Sequence, residues 1–265
     1  MKSNIIIIKI GGSVLTKKNT SGKLRRKLIS NIALQLKQNL KKKNQKLILI
    51  LGGGKNVHRM AKKYKLTHGS ISTSQVIGAL KAHLLAKRLQ MDVSKIFLEH
   101  NISIFPLQTN NFFTANKYGN IKMKNTIFFN ELLSKNFIPV LYGDMIFHPH
   151  KKFVILSGDK IAILLSCLFK VPTVIFATDV DGVYSDSNKI GNRDYLILKA
   201  SVKKIKKILL ENAFFKTKDA TGELLGKIKE VSKKPLKTQV FILNGLKVNN
   251  IYKALKGLKV GTKIQ

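Results

Sequence analysis

Runs of apolar residues alternate along the chain with segments in which apolar positions recur every three to four residues. The clearest runs are IIIIKI at 5–10, LILIL at 47–51, TVIFA at 173–177 and TQVFIL at 238–243. Unbroken runs of this length are typical of strands buried on both faces of a parallel sheet. The runs ISIFPL at 102–107, FIPVLYGD at 137–144 and KKFVIL at 151–156 predict further strands, and 110–129 predicts a hairpin.

The segments between these strands show the periodicity of amphipathic helices. One helix is predicted from about 23 to 42, where apolar residues form a single stripe of Leu24, Leu28, Ile32, Leu36 and Leu40. Others are predicted to begin near Asn56 and to cover about 72–89, 157–170 and 248–256. Strands that alternate with helices through short loops predict a doubly wound α/β fold, with a soft division near 150–170 into two lobes of one sheet.

The chain has 265 residues and is 44% hydrophobic, which is typical of a folded globular protein. Its single cysteine excludes an internal disulfide framework and a cysteine-based zinc site. Neither a leader segment nor an apolar run of the roughly 20 residues that a membrane span needs is evident. We therefore expect a cytoplasmic protein without a membrane partner.

The formal net charge of +36 raises the question of nucleic-acid binding. The basic residues are mostly lysine and are spread along the whole chain, without an arginine-rich arm or interleaved aromatic residues. We expect loose binding of polyanions at low salt but no specific nucleic-acid partner.

The residues that follow the predicted strands are mainly glycine and aspartate: GGS, GGGKNVH, YGD, LSGD and ATDVDG. In open α/β sheets ligands bind at the carboxyl ends of the strands. Glycines let backbone N–H groups approach a phosphate closely, and Lys9, inside a buried strand, can point at whatever the glycines hold. An isolated Gly-Gly pair would instead indicate a tight turn beside solvated lysines.

GGGKNVH is the stronger of the two glycine motifs. Its third glycine can open a helix whose N-terminal N–H groups bind an anion, with His58 in the first turn. A lone histidine in that position is more often polar surface. No Walker A or GxGxxG motif is present, and His68, His83 and His100 lack evident partners, as do His148 and His150, so we expect no protein-built metal site.

Several of the 13 acidic residues follow strands or stand at helix starts, namely Asp144, Asp159, Asp179 and Asp181. For each one alone, a turn or a helix cap explains the position about as well as a functional role. Taken together with the glycine loops and the lysines, including Lys227 after Thr-Gly, they fit phosphoryl transfer, which requires cations and N–H donors around a phosphoryl group.

The motifs KIGGS, GGG–xxx–H, YGD, SGD, ATDVDGVY, DATG–xxxx–K and NGLKVNNIYKALKGLKVGTKI follow one another in the order of the amino acid kinase superfamily. The chain resembles this superfamily over its whole length, and within it the archaeal-type isopentenyl phosphate kinase family. The resemblance implies a three-layer αβα sandwich around a mainly parallel open sheet, formed by a single domain over 1–265. It further implies an acceptor-binding lobe at about 1–155, a nucleotide-binding lobe at about 156–265 and a homodimer.

The implied reaction is ATP-dependent, Mg²⁺-dependent phosphorylation of isopentenyl phosphate to the diphosphate, by direct in-line transfer, in an alternative mevalonate pathway. By similarity, contacts to ATP come from Lys9, Gly11, Gly12, Ser13, Gly54, Asp179, Tyr184, Gly222 and Lys227. The acceptor would be held by Gly53, His58 and Gly158, Lys18 would stabilise the transition state, and Asp159 would orient the lysines. The isoprenoid tail would lie along Val76, Ile77, Leu80 and Leu84.

The chain departs from the family most clearly between the glycines and the histidine. Lys55, Asn56 and Val57 replace the middle of GGGSFGH, and Val57 is expected to narrow the acceptor pocket. Lys17 precedes Lys18 where an acidic residue is common, so the two lysines compete for one role. Two alternatives stay open: a superfamily member that acts on another phosphate or a phosphonate such as fosfomycin, and a basic nucleic-acid-binding protein on a catalytically disabled kinase fold.

Overall fold

A computed structural model of the chain describes residues 4–17, 22–43, 45–66, 69, 72–213, 226, 230–233 and 237–265. The strands in this part of the chain are β1 (Ile5–Ile10), β2 (Lys46–Leu51), β3 (Ile104–Pro106), β4 (Phe113–Ala115), β5 (Ile121–Met123), β6 (Ile138–Tyr142), β7 (Asp144–His148), β8 (Lys152–Leu156), β9 (Thr173–Thr178), β10 (Lys199–Ala200), β11 (Gln239–Asn244) and β12 (Thr262–Ile264). The α-helices described are α1 (Gly12–Leu15), α2 (Arg26–Lys43), α3 (Gly54–Lys63), α4 (Thr73–Glu99), α5 (Thr109–Phe112), α6 (Thr126–Ser134), α7 (Gly158–Leu168), α8 (Val202–Ala213) and α9 (Asn250–Leu255).

Eight strands form one sheet in the order β10-β12-β11-β9-β1-β2-β6-β3. The strands from β11 to β3 are parallel, whereas β12 runs antiparallel to β11 and parallel to β10. β1 lies at the centre, between β2 and β9. The carboxyl ends of the central strands therefore meet at one edge, where Gly11, Gly52 and Gly143 follow β1, β2 and β6.

Side chains of the central strands alternate between two hydrophobic cores, one on each face of the large sheet. Ile7 belongs to the core that contains residues of α6, α7 and α8, whereas Ile6 and Ile8 belong to the core with α1, α2, α4 and α9. The three-layer αβα arrangement is thereby confirmed. Burial on both faces explains why IIIIKI and LILIL are almost free of polar residues.

A smaller sheet, in the order β5-β4-β7-β8, is formed by strands between residues 113 and 156. The predicted hairpin is confirmed, because β4 and β5 pair antiparallel with Phe113 opposite Met123. β7 and β8 form a second antiparallel pair, and Thr114 opposite Phe147 joins the two pairs into one sheet. The sequence pattern did not predict this junction, since it depends on a single pairing between distant residues.

The limits of α3 and α4 differ from those predicted. α3 begins at Gly54, two residues before the predicted start, with Gly53 as its N-cap residue. α4 continues to Glu99, ten residues past the predicted end. Gln90, the first residue beyond that end, is buried, and its amide donates to the carbonyls of Leu107 and Val140 at 2.9 and 2.7 Å. The helix can continue because this buried polar side chain is satisfied.

Candidate active site

The loops after β1 and β2 pack against each other through glycine backbone. A Cβ atom on Gly12 would lie 2.4 Å from the nitrogen of Gly54, and one on Gly52 would lie 2.4 Å from the nitrogen of Gly12. A Cβ atom on Gly53 would lie 2.8 Å from Cβ of Val57. Gly54 also has a φ of +69°, in the region that favours glycine. Each of the three consecutive glycines is therefore required for its own steric or conformational reason.

The first glycine loop is fixed to the neighbouring strand and contains an unsatisfied hydroxyl. The nitrogen of Gly11 donates to the carbonyl of Ala177 at 2.7 Å, which holds the loop against the end of β9. Oγ of Ser13 is buried and has no hydrogen-bond partner among the residues that the structure describes. Because buried hydroxyls are normally paired, this atom indicates a place where a polar ligand group completes the site.

Lys9 and Asp159 form a largely buried ion pair at the same edge. Nζ of Lys9 lies 2.9 Å from Oδ1 of Asp159, and the two side chains are 5% and 14% exposed. Asp159 stands in the first turn of α7, whose N-cap Ser157 accepts a hydrogen bond from the nitrogen of Lys160. Gly158 brings the helix close to the lysine, because a Cβ atom there would lie 3.5 Å from Cε of Lys9. The start of α7 thus positions the carboxylate of Asp159, and the central strand β1 positions the ammonium of Lys9.

A cavity of about 390 Å³ opens beside this pair. Its polar end collects predicted site residues from separate elements, namely Lys9, Gly12, Gly53, His58, Gly158 and Asp159. Its remaining wall is mainly apolar and is lined by residues of α3, α4, β7 and β8 that include Val57, Ala61, Leu66, Ala79, Ala82, Met145, Ile155 and Leu156. A cavity with one cationic, glycine-rich end and one apolar end suits a phosphate ester of a small hydrocarbon.

His58 lies in α3 and lines the cavity together with Gly53. Because α3 begins at Gly54, His58 is the fifth helical residue and lies just past the first turn in which it was predicted. Its side chain is solvent-exposed. An exposed imidazole at the cavity wall lies within the space that an acceptor would enter, which keeps His58 a candidate contact for the acceptor phosphate.

The residues that depart from the family pattern between Gly54 and His58 make packing contacts. Val57 packs against two hydrophobic clusters and lines the cavity. The amide of Asn56 lies against Gly22, where an added Cβ atom would be 2.6 Å from Nδ2. Asn56 therefore connects the start of α3 to Gly22.

The apolar stripe that was predicted to hold the tail faces away from the cavity. Ile77, Leu80 and Leu84 are 45%, 42% and 62% exposed, whereas Ala79 and Ala82 of the same helix line the cavity. The prediction was wrong for these three residues, since it selected the stripe by apolarity alone. Alanines on the inward face leave room for a ligand.

At the end of β9, Asp179 accepts a hydrogen bond from Oγ1 of Thr178 at 3.3 Å. Asp181, two residues on, pairs with Nζ of Lys247 at 2.8 Å and accepts from Nδ2 of Asn244 at 3.0 Å. Partial burial tends to raise the pKa of Asp181, but the hydrogen bonds from Lys247 and Asn244 outweigh it and hold the pKa below its usual value. Tyr184 donates to Asp181 at 3.4 Å.

The hydrogen bonds of Asp181 and Asn244 fasten the loop after β9 to the end of β11. The structure thus places Asp179 and Tyr184, both predicted nucleotide contacts, on one braced loop. Three further predicted residues, Lys18, Gly222 and Lys227, lie outside the described residues.

No partner was predicted for His83, but the structure provides one. Nδ1 of His83 lies 2.8 Å from Oδ2 and 3.0 Å from Oδ1 of Asp144, the aspartate of the YGD motif. Both residues line the cavity. No local signal could have predicted the pair, because its members stand on α4 and β7, which are distant in sequence.

A buried lysine–aspartate pair, two interlocked glycine loops and a cavity with one polar end define a site for phosphoryl transfer to a small acceptor. The model of the Amino acid kinase family matches residues 4–244, and the chain belongs to this family. None of the described helices combines the length and the apolarity that a membrane crossing requires.

Individual relatives narrow the comparison. The chain is 32% identical over 267 residues to the isopentenyl phosphate kinase of Methanocaldococcus jannaschii, covering 98% of each chain. It is 27% identical over 272 residues to that of Methanothermobacter thermautotrophicus, again covering 98% of each. An X-ray structure of an isopentenyl phosphate kinase superposes with a TM-score of 0.79 at 25% identity, covering 98% of this chain and 100% of the other.

Proposed function

We propose that this chain transfers the γ-phosphoryl group of ATP to isopentenyl phosphate and forms isopentenyl diphosphate, a building block for isoprenoid biosynthesis by an alternative mevalonate route. One observation carries the proposal: a single cavity has the Lys9–Asp159 pair and Gly53 at one end and an apolar wall at the other. The acceptor phosphate fits the first end and the five-carbon tail fits the second. Relatives named isopentenyl phosphate kinase, which match 98% of this chain, support the same acceptor.

The reaction needs no general base. A phosphate monoester has a second pKa of about 6, so at neutral pH its oxygen attacks as part of a dianion. The bond from this oxygen to the γ-phosphorus forms while the bond from the γ-phosphorus to the β,γ-bridging oxygen breaks. ADP leaves with that electron pair. The protein has to position two phosphates in line and to stabilise the charge that shifts between their oxygens.

Each residue near the transfer has a role in this scheme. Lys9, held by Asp159, balances the charge on the transferred group, and Lys18 acts on the same group from the loop that follows β1. Backbone N–H groups of the two glycine loops, with Oγ of Ser13, cradle the ATP phosphates, while Gly53, His58 and Gly158 hold the acceptor phosphate. Asp179, Tyr184, Gly222 and Lys227 serve the nucleotide. We thus assign acceptor binding to the lobe at about 1–155 and nucleotide binding to that at about 156–265.

The residues present fit the phosphates of ATP, since the interlocked glycines admit close approach of the backbone and Ser13 Oγ lacks a partner in the described part of the chain. No three His, Cys, Asp or Glu side chains among the described residues come together to hold a metal ion. This donor set would fit a Mg²⁺ ion held mainly by phosphate oxygens, with Asp179 as a candidate protein ligand. Such an ion would supply neutralisation of the charge on the ATP phosphates.

The decisive experiment measures ADP release with Mg·ATP and a panel of acceptors: isopentenyl phosphate, fosfomycin, N-acetylglutamate and glutamate. Formation of the diphosphate is verified by ³¹P NMR, and Lys9→Met serves as the inactive control. We expect turnover of isopentenyl phosphate at least about 100-fold above the other acceptors. Turnover of fosfomycin alone would assign the chain to a phosphonate kinase. Salt-sensitive RNA binding without any transfer would favour a disabled kinase fold.

We also propose that the chain forms a homodimer through the outward face of α4. Ile77, Leu84, Met91 and Leu98 are exposed and recur every seven residues, which gives one straight apolar stripe along the helix. Leu84→Glu combined with Met91→Glu should give a monomer in sedimentation equilibrium. The matched exposed change Leu258→Glu should leave the dimer intact, and a monomeric parent chain would contradict this assembly.

A further inference from the structure

Among the described residues, the imidazole of His83 and its partner Asp144 bring polar atoms to the apolar end of the cavity. Around the imidazole the wall is formed by Leu66, Ala79, Ala82 and Met145. The His83 side chain is 11% exposed, and that of Asp144, its partner, is 1% exposed. A polar group in such surroundings affects which ligand fits, because it must be satisfied when the ligand displaces water.

The hydrogen bond to Asp144 fixes the orientation of the His83 ring. The carboxylate of Asp144 takes a hydrogen bond from Nδ1 of His83, and it also accepts from the nitrogen of Met145 at 2.8 Å. Tyr142 lies on the other side, with its ring centroid 6.2 Å from that of His83. Burial, and then the charge of Asp144, raise the pKa of Tyr142, so its phenol stays neutral.

Nε2 of His83 has no hydrogen-bond partner among the described residues. Since Nδ1 is occupied by Asp144, Nε2 is the ring nitrogen that remains for a ligand. It is an acceptor when the ring is neutral and a donor when the ring is protonated. A hydroxyl group can complement either form, whereas a hydrocarbon can complement neither.

We propose that His83, oriented by Asp144, is a specificity-determining residue that hydrogen-bonds a hydroxyl group on the carbon chain of the acceptor. The chain therefore phosphorylates short phosphate monoesters with a hydroxylated tail, in addition to the alkene. This inference rests on the proposed function, because it uses the same cavity and the same transfer from ATP. The phosphate oxygen of the hydroxylated acceptor attacks, and its hydroxyl group keeps its proton and is not phosphorylated.

The test compares two acceptors that differ only by water added across the double bond, isopentenyl phosphate and 3-hydroxy-3-methylbutyl phosphate. In the parent chain, kcat/KM for the hydroxylated acceptor should equal or exceed that for the alkene. His83→Phe should lower the ratio of kcat/KM for the hydroxylated acceptor to kcat/KM for isopentenyl phosphate about 10–100-fold. His83→Gln should keep kcat/KM for the hydroxylated acceptor within tenfold of the parent value, because an amide can still donate and accept hydrogen bonds.

Controls separate recognition from folding. His150→Phe makes the same chemical change at an exposed turn residue outside the cavity and should alter neither acceptor. Asp144→Asn should act in the same direction as His83→Phe, because Asp144 acts through His83. Should the phenylalanine variant not fold, as judged by its melting temperature, His83→Leu gives the same comparison with a smaller side chain.

The possible outcomes are distinct. If isopentenyl phosphate is turned over and the hydroxylated acceptor is not, the inference is wrong and the proposed function stands. Equal losses for both acceptors in His83→Phe would likewise overturn it, since they would indicate a structural role. If neither acceptor is phosphorylated by the parent chain, the proposed function itself fails.

Discussion

Lys9 and Asp159 meet at the carboxyl edge of the sheet with Nζ 2.9 Å from Oδ1, although one lies in the central strand and the other begins helix α7. Their contact joins the end of β1 to the start of α7. A lysine in a buried strand requires such a partner, because an unpaired ammonium away from water is strongly unfavourable. The pair keeps a positive charge at the polar end of the cavity, where the proposed transfer takes place.

Asp159→Asn should lower kcat about 100-fold or more while the KM for ATP changes less. The amide keeps the shape of the carboxylate but leaves Lys9 without a counter-charge, so the ammonium is held less firmly against the transferred group. Steady-state kinetics with varied ATP and varied acceptor measure the two effects. The matched control is the exposed Asp194→Asn, which should be silent. A kcat within twofold of the parent would mean that the pair only supports the fold.

His58→Ala should raise the KM for the acceptor and lower kcat, with ATP binding little changed. The imidazole stands at the cavity wall beside Gly53, where it can donate to a phosphate oxygen of the acceptor. Initial rates with isopentenyl phosphate, combined with calorimetric ATP binding, separate the two substrates. His150→Ala, at an exposed turn, is the control. Unaltered acceptor kinetics would remove His58 from the site.

Lys18→Ala should lower kcat more than Lys17→Ala does. The backbone nitrogen of Lys17 donates to the carbonyl of Lys23 at 2.9 Å, and its side chain is exposed, which suits a residue at the base of the loop. Single-turnover rates of the two variants at saturating ATP are the measurement. The reverse order would assign the transition-state role to Lys17.

The layers of the fold were predictable because they follow from local pattern: strands buried on both faces are apolar throughout, and helices show their own period. The pairing of Thr114 with Phe147 could not be predicted, since it is a single contact between strands that are distant in sequence. The polar end of the site was predicted by glycines and charged residues at strand ends. The pair of His83 and Asp144 was not, because its two members become neighbours only when α4 packs on β7.

Gly12→Ala should destabilise the fold by about 1–3 kcal/mol or more and abolish turnover. The added Cβ would lie 2.4 Å from the nitrogen of Gly54, and neither backbone segment can move without displacing the other glycine loop. Chemical denaturation measures the loss. Gly226→Ala adds the same atom at a position where no described residue lies within 4 Å, so the stability of this variant should stay at the parent value.

Asp181→Asn should destabilise the protein at neutral pH, with a difference that disappears in acid. Partial burial raises the pKa of Asp181, but hydrogen bonds from Lys247 and Asn244 lower it further, so the folded-state pKa lies below that of the unfolded chain. The carboxylate therefore contributes stability that is fully present above the ordinary aspartate pKa of about 3.9 and is lost as the pH falls through the lower folded value.

Because Lys247 is half exposed, the contribution at neutral pH should be about 1 kcal/mol or less, which corresponds to a melting temperature about 1–3 °C lower. Thermal melts of the parent and of Asp181→Asn between pH 7 and pH 3 measure it. The two curves should converge as the pH approaches the folded value, whereas Asp194→Asn should follow the parent throughout. A difference that stays constant down to pH 3 would show that the contribution of Asp181 is one of packing and not of charge.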